Sequence, residues 1–225
     1  FWPAFGLAES TLAVTAGVRP GERLARPFDR AALERAEVIP AAPDADADAV
    51  RLLATCGRWA QDGTVEIVDP ESGARLPPGK IGEIWCQSAS VGQGYWRRPE
   101  ESARLFQARL ADGTGPFLRT GDLGFVYDGE LFVAGRLKDS IVIRGKNHYP
   151  HDFEHTAEGS HAELRRTCVA AVGLERDGAE QVAIVAEVRR RSWPESGALA
   201  QIAEAVRTAL AAEHRVEPTT IALVG

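Results

Sequence analysis

Gly135-Arg136-Leu137-Lys138-Asp139-Ser140-Ile141, continued after Val142-Ile143 by Arg144-Gly145-Lys146-Asn147-His148-Tyr149-Pro150, marks the point where the texture of the chain changes. On its amino-terminal side, short β-branched and apolar runs read as strands: Thr64 to Val68, Ile81 to Cys86, Phe117 to Arg119, Phe125 to Tyr127 and Leu131 to Ala134. Asp69-Pro70 and Pro77-Pro78-Gly79 punctuate them, and Asp128-Gly129 is a hairpin-turn signal between two of them. Beyond Lys138 the pattern differs. Ser140 to Ile143 reads as a strand, a helix begins near His151, and strands follow at Cys168 to Gly173 and Val182 to Val188. A helix from Ser196 to Ala212 and a strand from Ile221 to Val224 complete the series. Leu199, Ile202, Ala203, Val206 and Leu210 recur at helical spacing and define one apolar stripe. A helix with such a stripe must cover a sheet, which makes a small α+β unit. The domain boundary falls near Lys138, between a β-rich portion, residues 1–137, and residues 138–225, with no internal repeat.

Further upstream, Phe1 to Gly17 reads as a strand end, a turn and a strand. From Pro27 to Ala54 the composition shifts: a short helical pattern around Ala31 to Arg35 precedes the low-complexity run Ala41 to Ala49. That run alternates Asp and Ala around Pro43 and is expected to be a flexible exposed loop.

Bulk composition narrows the function classes. A chain of 225 residues suits one large domain or two modest ones, and 44% hydrophobic with 26% charged residues is ordinary for a soluble fold. A formal charge of -6 and a pI near 5.5 give no basic footprint for nucleic acid or an anionic membrane. Arg189-Arg190-Arg191 reads as a solvated strand end. Cys56, Cys86 and Cys168 lack metal-ligand spacing, and an odd count without a secretory leader points to a reducing cytoplasm. No apolar run approaches the length of a membrane span. The chain starts at Phe1 and contains no Met, so its start reads as a cut one.

Three clusters place chemistry-bearing residues beside glycines. In Phe5-Gly6-Leu7-Ala8-Glu9-Ser10-Thr11, an aromatic face could stack a base, Gly6 could admit a close backbone approach, and Glu9 offers a hard oxygen ligand for magnesium. A strand-to-turn junction with a capping Glu would produce the same letters. In Leu118-Arg119-Thr120-Gly121-Asp122-Leu123-Gly124, a carboxylate at a glycine turn can accept from two neighbouring hydroxyls, as a ribose presents, although Thr-Gly-Asp is also plain turn chemistry. In the opening stretch, Arg136 carries a planar five-donor fork suited to hydroxyl or phosphate oxygens. A charged surface hairpin is its bland reading. His148 lies within that stretch and is read either as a residue facing the active site or as a surface hydrogen-bonded His. His151, His155, His161 and His214 are read as exposed, and Trp2, Trp59, Trp85, Trp96 and Trp193 as core or rim packing.

The three clusters, with Ile81-Gly82-Glu83-Ile84-Trp85 and Gly94-Tyr95-Trp96, occur in an order and spacing that resembles the adenylate-forming superfamily of acyl-CoA synthetases, adenylation domains and luciferases. Within it the wording of Gly6 to Thr11, Gly129 to Asp139 and Arg144 to Pro150 is similar to the fatty acyl-AMP ligases, and the likeness covers almost the whole chain. The stretch from Phe28 to about Ala54 falls where those ligases carry an insertion that hinders the rearrangement needed for coenzyme A attack.

The resemblance implies an α/β (α+β) chain: the β-rich end of a large nucleotide-binding domain, then a small mobile α+β domain. It implies that Phe5 stacks on adenine with Gly6 beside it, that Glu9 binds magnesium, that Asp122 and Arg136 hold the ribose, and that Lys138 is the hinge. Ala8 stands where many relatives have a phosphate-contacting Thr. The family's phosphate loop would lie upstream of Phe1, and its catalytic Lys beyond Gly225. The implied activity of the complete protein is ATP- and magnesium-dependent activation of a fatty acid, with transfer to the phosphopantetheine arm of an acyl carrier protein. Two rivals stay open: a long-chain acyl-CoA ligase, and a non-catalytic fragment acting as an interaction module. An amino-acid-activating domain is disfavoured by His148-Tyr149-Pro150.

Overall fold

A computed structural model describes residues 3–17, 24–59, 63–176, 179–189 and 196–225. Phe1, Trp2, Trp193 and two of the three arginines at 189–191 lie outside the described residues. The chain is mixed α+β and divides into two compact units, Phe1–Lys138 and Asp139–Gly225.

The first unit is built from short strands. β1 (Ala4–Phe5), β2 (Thr15–Ala16) and β5 (Arg58–Trp59) form one small sheet, and β3 (Ala25–Asp29) pairs antiparallel with β4 (Val50–Ala54). The principal sheet is antiparallel, in the order β6 (Thr64–Val68), β7 (Gly82–Gln87), β8 (Leu118–Tyr127) and β9 (Glu130–Arg136). Two helices accompany these sheets, α1 (Arg30–Glu34), capped by the Asp29 side chain on the Ala32 N–H at 2.7 Å, and α2 (Pro99–Phe106).

The expected strands at Phe117 to Arg119 and Phe125 to Tyr127 are one strand, because Thr120-Gly121-Asp122 bulges out of the ladder and does not end it. Between the pairs Glu83↔Leu123 and Trp85↔Arg119, β8 advances four residues while β7 advances two. A second irregularity, between Leu123 and Gly124, sits where β8 meets β9. Bulges raise local twist and re-aim side chains, and they gather beside functional sites. The hairpin closes as Asp128-Gly129 suggested, with Tyr127 opposite Glu130.

Ala42 to Ala49 is exposed, and its last three residues form a single 3-10 turn. The segment around it is anchored by one aromatic ring. Phe28 is fully buried and meets Phe125, Tyr127 and Phe132 edge-on, with centroids 5.1, 5.4 and 5.4 Å away. Trp85 is core, whereas Trp59 is 42% exposed. Trp96 departs from the packing expected of it and is 86% exposed: Tyr95 before it is held inward, which leaves its own ring outward beneath the Arg97 guanidinium.

The second unit begins with the hairpin β10 (Ile141–Ile143) and β11 (Lys146–His148), then α3 (Pro150–Ser160). β12 (Leu164–Arg176) and β13 (Ala179–Val188) are antiparallel. α4 (Ser196–His214) then carries the chain over to β14 (Thr220–Val224), which runs parallel to β13, a pairing that requires such a crossover. The apolar stripe of α4 does what its spacing demands: Ile202, Val206 and Leu210 are at most 1% exposed and pack with Phe153, Leu164 and Ile184. His151 and His155 are exposed, but His161 and His214 are half-buried. His214 is drawn in by Thr156 Oγ1 at 2.7 Å and by the edge of Phe153.

Replacing Phe28 with Ala removes a fully enclosed ring and is expected to cost about 3–5 kcal/mol, read as a lowered urea midpoint.

Candidate nucleotide site

The first unit carries a cavity of about 600 Å³ whose wall includes Glu9, Asp122, Arg136 and Lys138. A cleft of that size suits a nucleotide-sized ligand. Its geometry starts with an acid in an apolar strand. Glu83 is 1% exposed, next to Ile84, Trp85 and Cys86 at 0%, 3% and 2%. A buried carboxylate needs a partner, since its desolvation costs several kcal/mol. Arg119 supplies the counter-charge across the ladder, donating from Nη2 at 2.7 Å and from Nε at 3.0 Å, and the Gly121 N–H adds a third donor at 3.2 Å. The Arg119 guanidinium also lies over Trp85, 5.3 Å from the ring centroid.

These bonds shape the bulge. Thr120 Oγ1 donates to the Ile84 carbonyl at 2.7 Å and accepts from the Asp122 N–H at 3.1 Å. Gly121 takes φ +73° with open space around its α-carbon, so glycine serves conformation here and not clearance. The bulge leaves Asp122 directly across from Arg136, with Arg136 Nε 3.3 Å from Asp122 Oδ1. The Arg136 side chain is 62% exposed, and ion pairs this open contribute only ~0–1 kcal/mol to folding. The pair is therefore available to a ligand at little cost to the fold.

Glu9 reaches the same wall from the loop after β1, within the 3-10 turn Ala8–Ser10. The loop is tethered to the segment before α2: the Gly92 N–H donates to the Glu9 carbonyl at 2.8 Å and Thr11 Oγ1 to the Ser90 carbonyl at 2.7 Å. Tyr95 donates its hydroxyl to Glu9 Oε1 at 2.6 Å. That bond to a carboxylate, more than its partial burial, pushes the phenol up to about 12. Gly6 has a structural job: a β-carbon there would sit 1.5 Å from the Leu12 carbonyl oxygen, so the loop cannot close with any other residue.

Phe5 is not among the residues that line the cavity. Its half-buried ring packs against Val14, Cys86, Phe106 and Leu118, and Leu7, two residues on, lines the cavity instead. Leu7 packs against the same cluster and also reaches the cavity wall, beyond the end of β1. Lys138 closes the 3-10 turn Leu137–Asp139, exposed on the cavity wall as the last residue of the first unit. His148 lies in the second unit and is 6% exposed, stacked on Phe153 at 5.3 Å, so it is not a surface residue.

Four contributors went unread in the sequence. Glu83 had a signal, as an acid beside the apolar run Ile84-Trp85-Cys86. Arg119 could have followed from it as the counter-charge. Tyr95 stood within Gly94-Tyr95-Trp96 without a role, and Arg104 gave no signal, since only the packing of α2 brings them to the cavity. Among the lining cations, Arg119 and Arg136 are engaged by acids, whereas Arg104 and Lys138 form no ion pair among the described residues. Two uncommitted cations suit an anionic ligand.

Residues 1–96 match the AMP-binding enzyme family. The medium-chain-fatty-acid–[acyl-carrier-protein] ligase JamA of Moorena producens is 39% identical over 224 residues, which is 99% of this chain and 38% of that protein. The long-chain-fatty-acid–AMP ligase FadD26 of Mycobacterium tuberculosis is 34% identical over 230 residues, 99% of this chain and 38% of its own length. One of the solved fatty acyl-adenylate ligases of E. coli and L. pneumophila superposes with a TM-score of 0.83 at 27% identity, over all of this chain and 38% of that one. The chain belongs to the adenylate-forming AMP-binding enzymes. Within them it falls in the fatty acyl-AMP ligase family, spanning a little over a third of the length of these relatives.

Glu83→Gln keeps the shape of the acid and removes its charge, and is expected to cost roughly 3 kcal/mol, as for other broken buried ion pairs. Urea unfolding measures the loss, and AMP binding by calorimetry should weaken with it, because the bulge that presents Asp122 loses its anchor.

Proposed function

We propose that the protein carrying this chain activates a fatty acid as its acyl-adenylate and transfers the acyl group to the phosphopantetheine thiol of an acyl carrier protein. The observation that carries this reading is the pairing of Asp122 with Arg136 on the wall of a cavity that Glu9 also lines. In the first step a carboxylate oxygen of the fatty acid attacks the α-phosphorus of ATP, and the bond to the bridging oxygen breaks to release pyrophosphate. Asp122 accepts from the ribose hydroxyls, while Arg136 steadies that carboxylate and donates to the same sugar. The base lies against Leu7, with Phe5 and Gly6 supporting the loop behind it. Holding the nucleotide in register with the incoming carboxylate supplies a large share of the rate.

Magnesium, when bound, offsets the negative charge that builds on the phosphate oxygens. Glu9 is the residue that would hold it. No group of three acidic, His or Cys side chains able to hold a metal occurs among the described residues. A single carboxylate fits an ion that arrives with the nucleotide and keeps phosphate and water as its other ligands. In the second step the thiol attacks the acyl carbonyl carbon and AMP leaves. Lys138, at the end of the first unit, is the pivot we assign to the change between steps. The name of JamA, a ligase acting on an acyl carrier protein, supports a carrier over free coenzyme A as acceptor.

The test supplies the protein with ATP, magnesium, a fatty acid, and either phosphopantetheinylated carrier protein or free coenzyme A. Acyl-AMP and acyl-carrier product are expected, with little acyl-CoA. Asp122→Ala should lower adenylate formation roughly tenfold or more, the scale of a hydrogen bond to a charged group. Abundant acyl-CoA would overturn the acceptor, and absence of any adenylate would leave an interaction module.

A further inference from the structure

We propose that Tyr95 is a positioning residue for Glu9: its phenol holds one carboxylate oxygen and leaves the other, in a fixed direction, for a divalent cation that accompanies the nucleotide. The proposal rests on the assignment of Glu9 made above and adds the residue that aims it.

The bond from Tyr95 to Glu9 Oε1 is 2.6 Å long, in the range of strong hydroxyl-to-carboxylate bonds, and joins positions 86 residues apart. It is the only hydrogen bond to the Glu9 carboxylate among the described residues. A half-exposed Glu on a short turn would otherwise sample several rotamers, so this single contact decides where the second oxygen points.

Tyr95 is itself over-determined. Its N–H donates to Ser102 Oγ at 2.8 Å, and that hydroxyl donates to the Arg98 carbonyl at 2.6 Å. Its ring meets Phe106 edge-on, with centroids 5.1 Å apart. Ser102 and Phe106 are one turn apart on the buried side of α2, so the helix grips the tyrosine at both backbone and ring. The Gly92 N–H, three residues before Tyr95, also holds the Glu9 carbonyl at 2.8 Å. One rigid segment therefore fixes both the backbone and the carboxylate of Glu9. Groups that orient a metal ligand from behind commonly change cation affinity by about 10–100-fold when removed.

The experiment compares wild type, Tyr95→Phe and Glu9→Gln. The phenylalanine variant keeps the ring against Phe106 and removes only the hydroxyl. With tyrosine labelled at the ζ-carbon, one of the three tyrosine resonances, absent in Tyr95→Phe, should shift in Glu9→Gln without any nucleotide or metal. No shift overturns the proposal. In adenylate formation, Tyr95→Phe should raise the magnesium concentration needed for half-maximal rate about tenfold or more while leaving the KM for fatty acid in place, a split that general damage to the fold would not produce. An unchanged magnesium requirement in Tyr95→Phe, when Glu9→Gln has lost its own, overturns the role of Tyr95 and leaves the adenylation reading standing. An unchanged requirement in Glu9→Gln overturns the magnesium role of Glu9, and the role of Tyr95 with it.

Discussion

A buried carboxylate governs the first unit. Glu83 sits in a strand whose neighbours exclude water, so its charge must be met inside the protein, and Arg119 with the Gly121 N–H meets it. That requirement reaches further than one ion pair. Arg119 stands opposite Trp85 and Leu123 opposite Glu83, and the two extra residues between them cannot stay in the ladder. They are pushed out as the bulge that sets Asp122 against Arg136. A β-sheet that only had to be stable would carry an apolar residue at position 83, since replacing buried ion pairs by well-packed apolar groups is often neutral or stabilising. The acid is explained by the bulge that its bonds shape.

The rest of the cavity wall follows the same division of labour. Groups placed to meet a ligand are exposed and weakly held, as Arg136 and Lys138 are, or reach the wall from a short turn, as Glu9 does. Those that hold them are buried and multiply bonded: Glu83 behind Asp122, and Ser102 and Phe106 behind Tyr95, which in turn faces Glu9. Rigid support for a small exposed constellation is what a site needs if binding is not to spend its energy on ordering side chains.

Much of this was legible in the residues, and the parts that were not share a cause. Local signals spoke clearly where local physics decides: the stripe on α4, the Asp128-Gly129 hairpin, and the β-branched run of β6 all lie within a few residues of their own explanation. The motif residues Glu9, Asp122 and Arg136 could be nominated because their types and order are informative. Phe5 was nominated as an aromatic beside a glycine, and its packing against the cluster of Val14, Cys86, Phe106 and Leu118 rests on residues far along the chain that its neighbours do not reveal. The Thr120-Gly121-Asp122 turn was taken for a strand end because nothing nearby in sequence reveals that Glu83, 38 residues earlier, reaches Gly121. For His148 the sequence left two readings open, facing the active site or hydrogen-bonded at the surface, and its burial against Phe153 was not visible among its polar neighbours. The role of Tyr95 was hidden for the same reason as the bulge: its meaning lies in a partner 86 residues away.

The most direct measurement is the affinity of the chain for AMP beside that for 2′,3′-dideoxy-AMP, by calorimetry at one salt concentration, in wild type and in Asp122→Asn. If the bulge held by Glu83 presents Asp122 to the sugar, wild type binds AMP roughly tenfold or more tightly than the dideoxy form, and the variant loses most of that preference. Equal affinities for the two nucleotides in wild type, or a preference that survives intact in Asp122→Asn, would contradict the account.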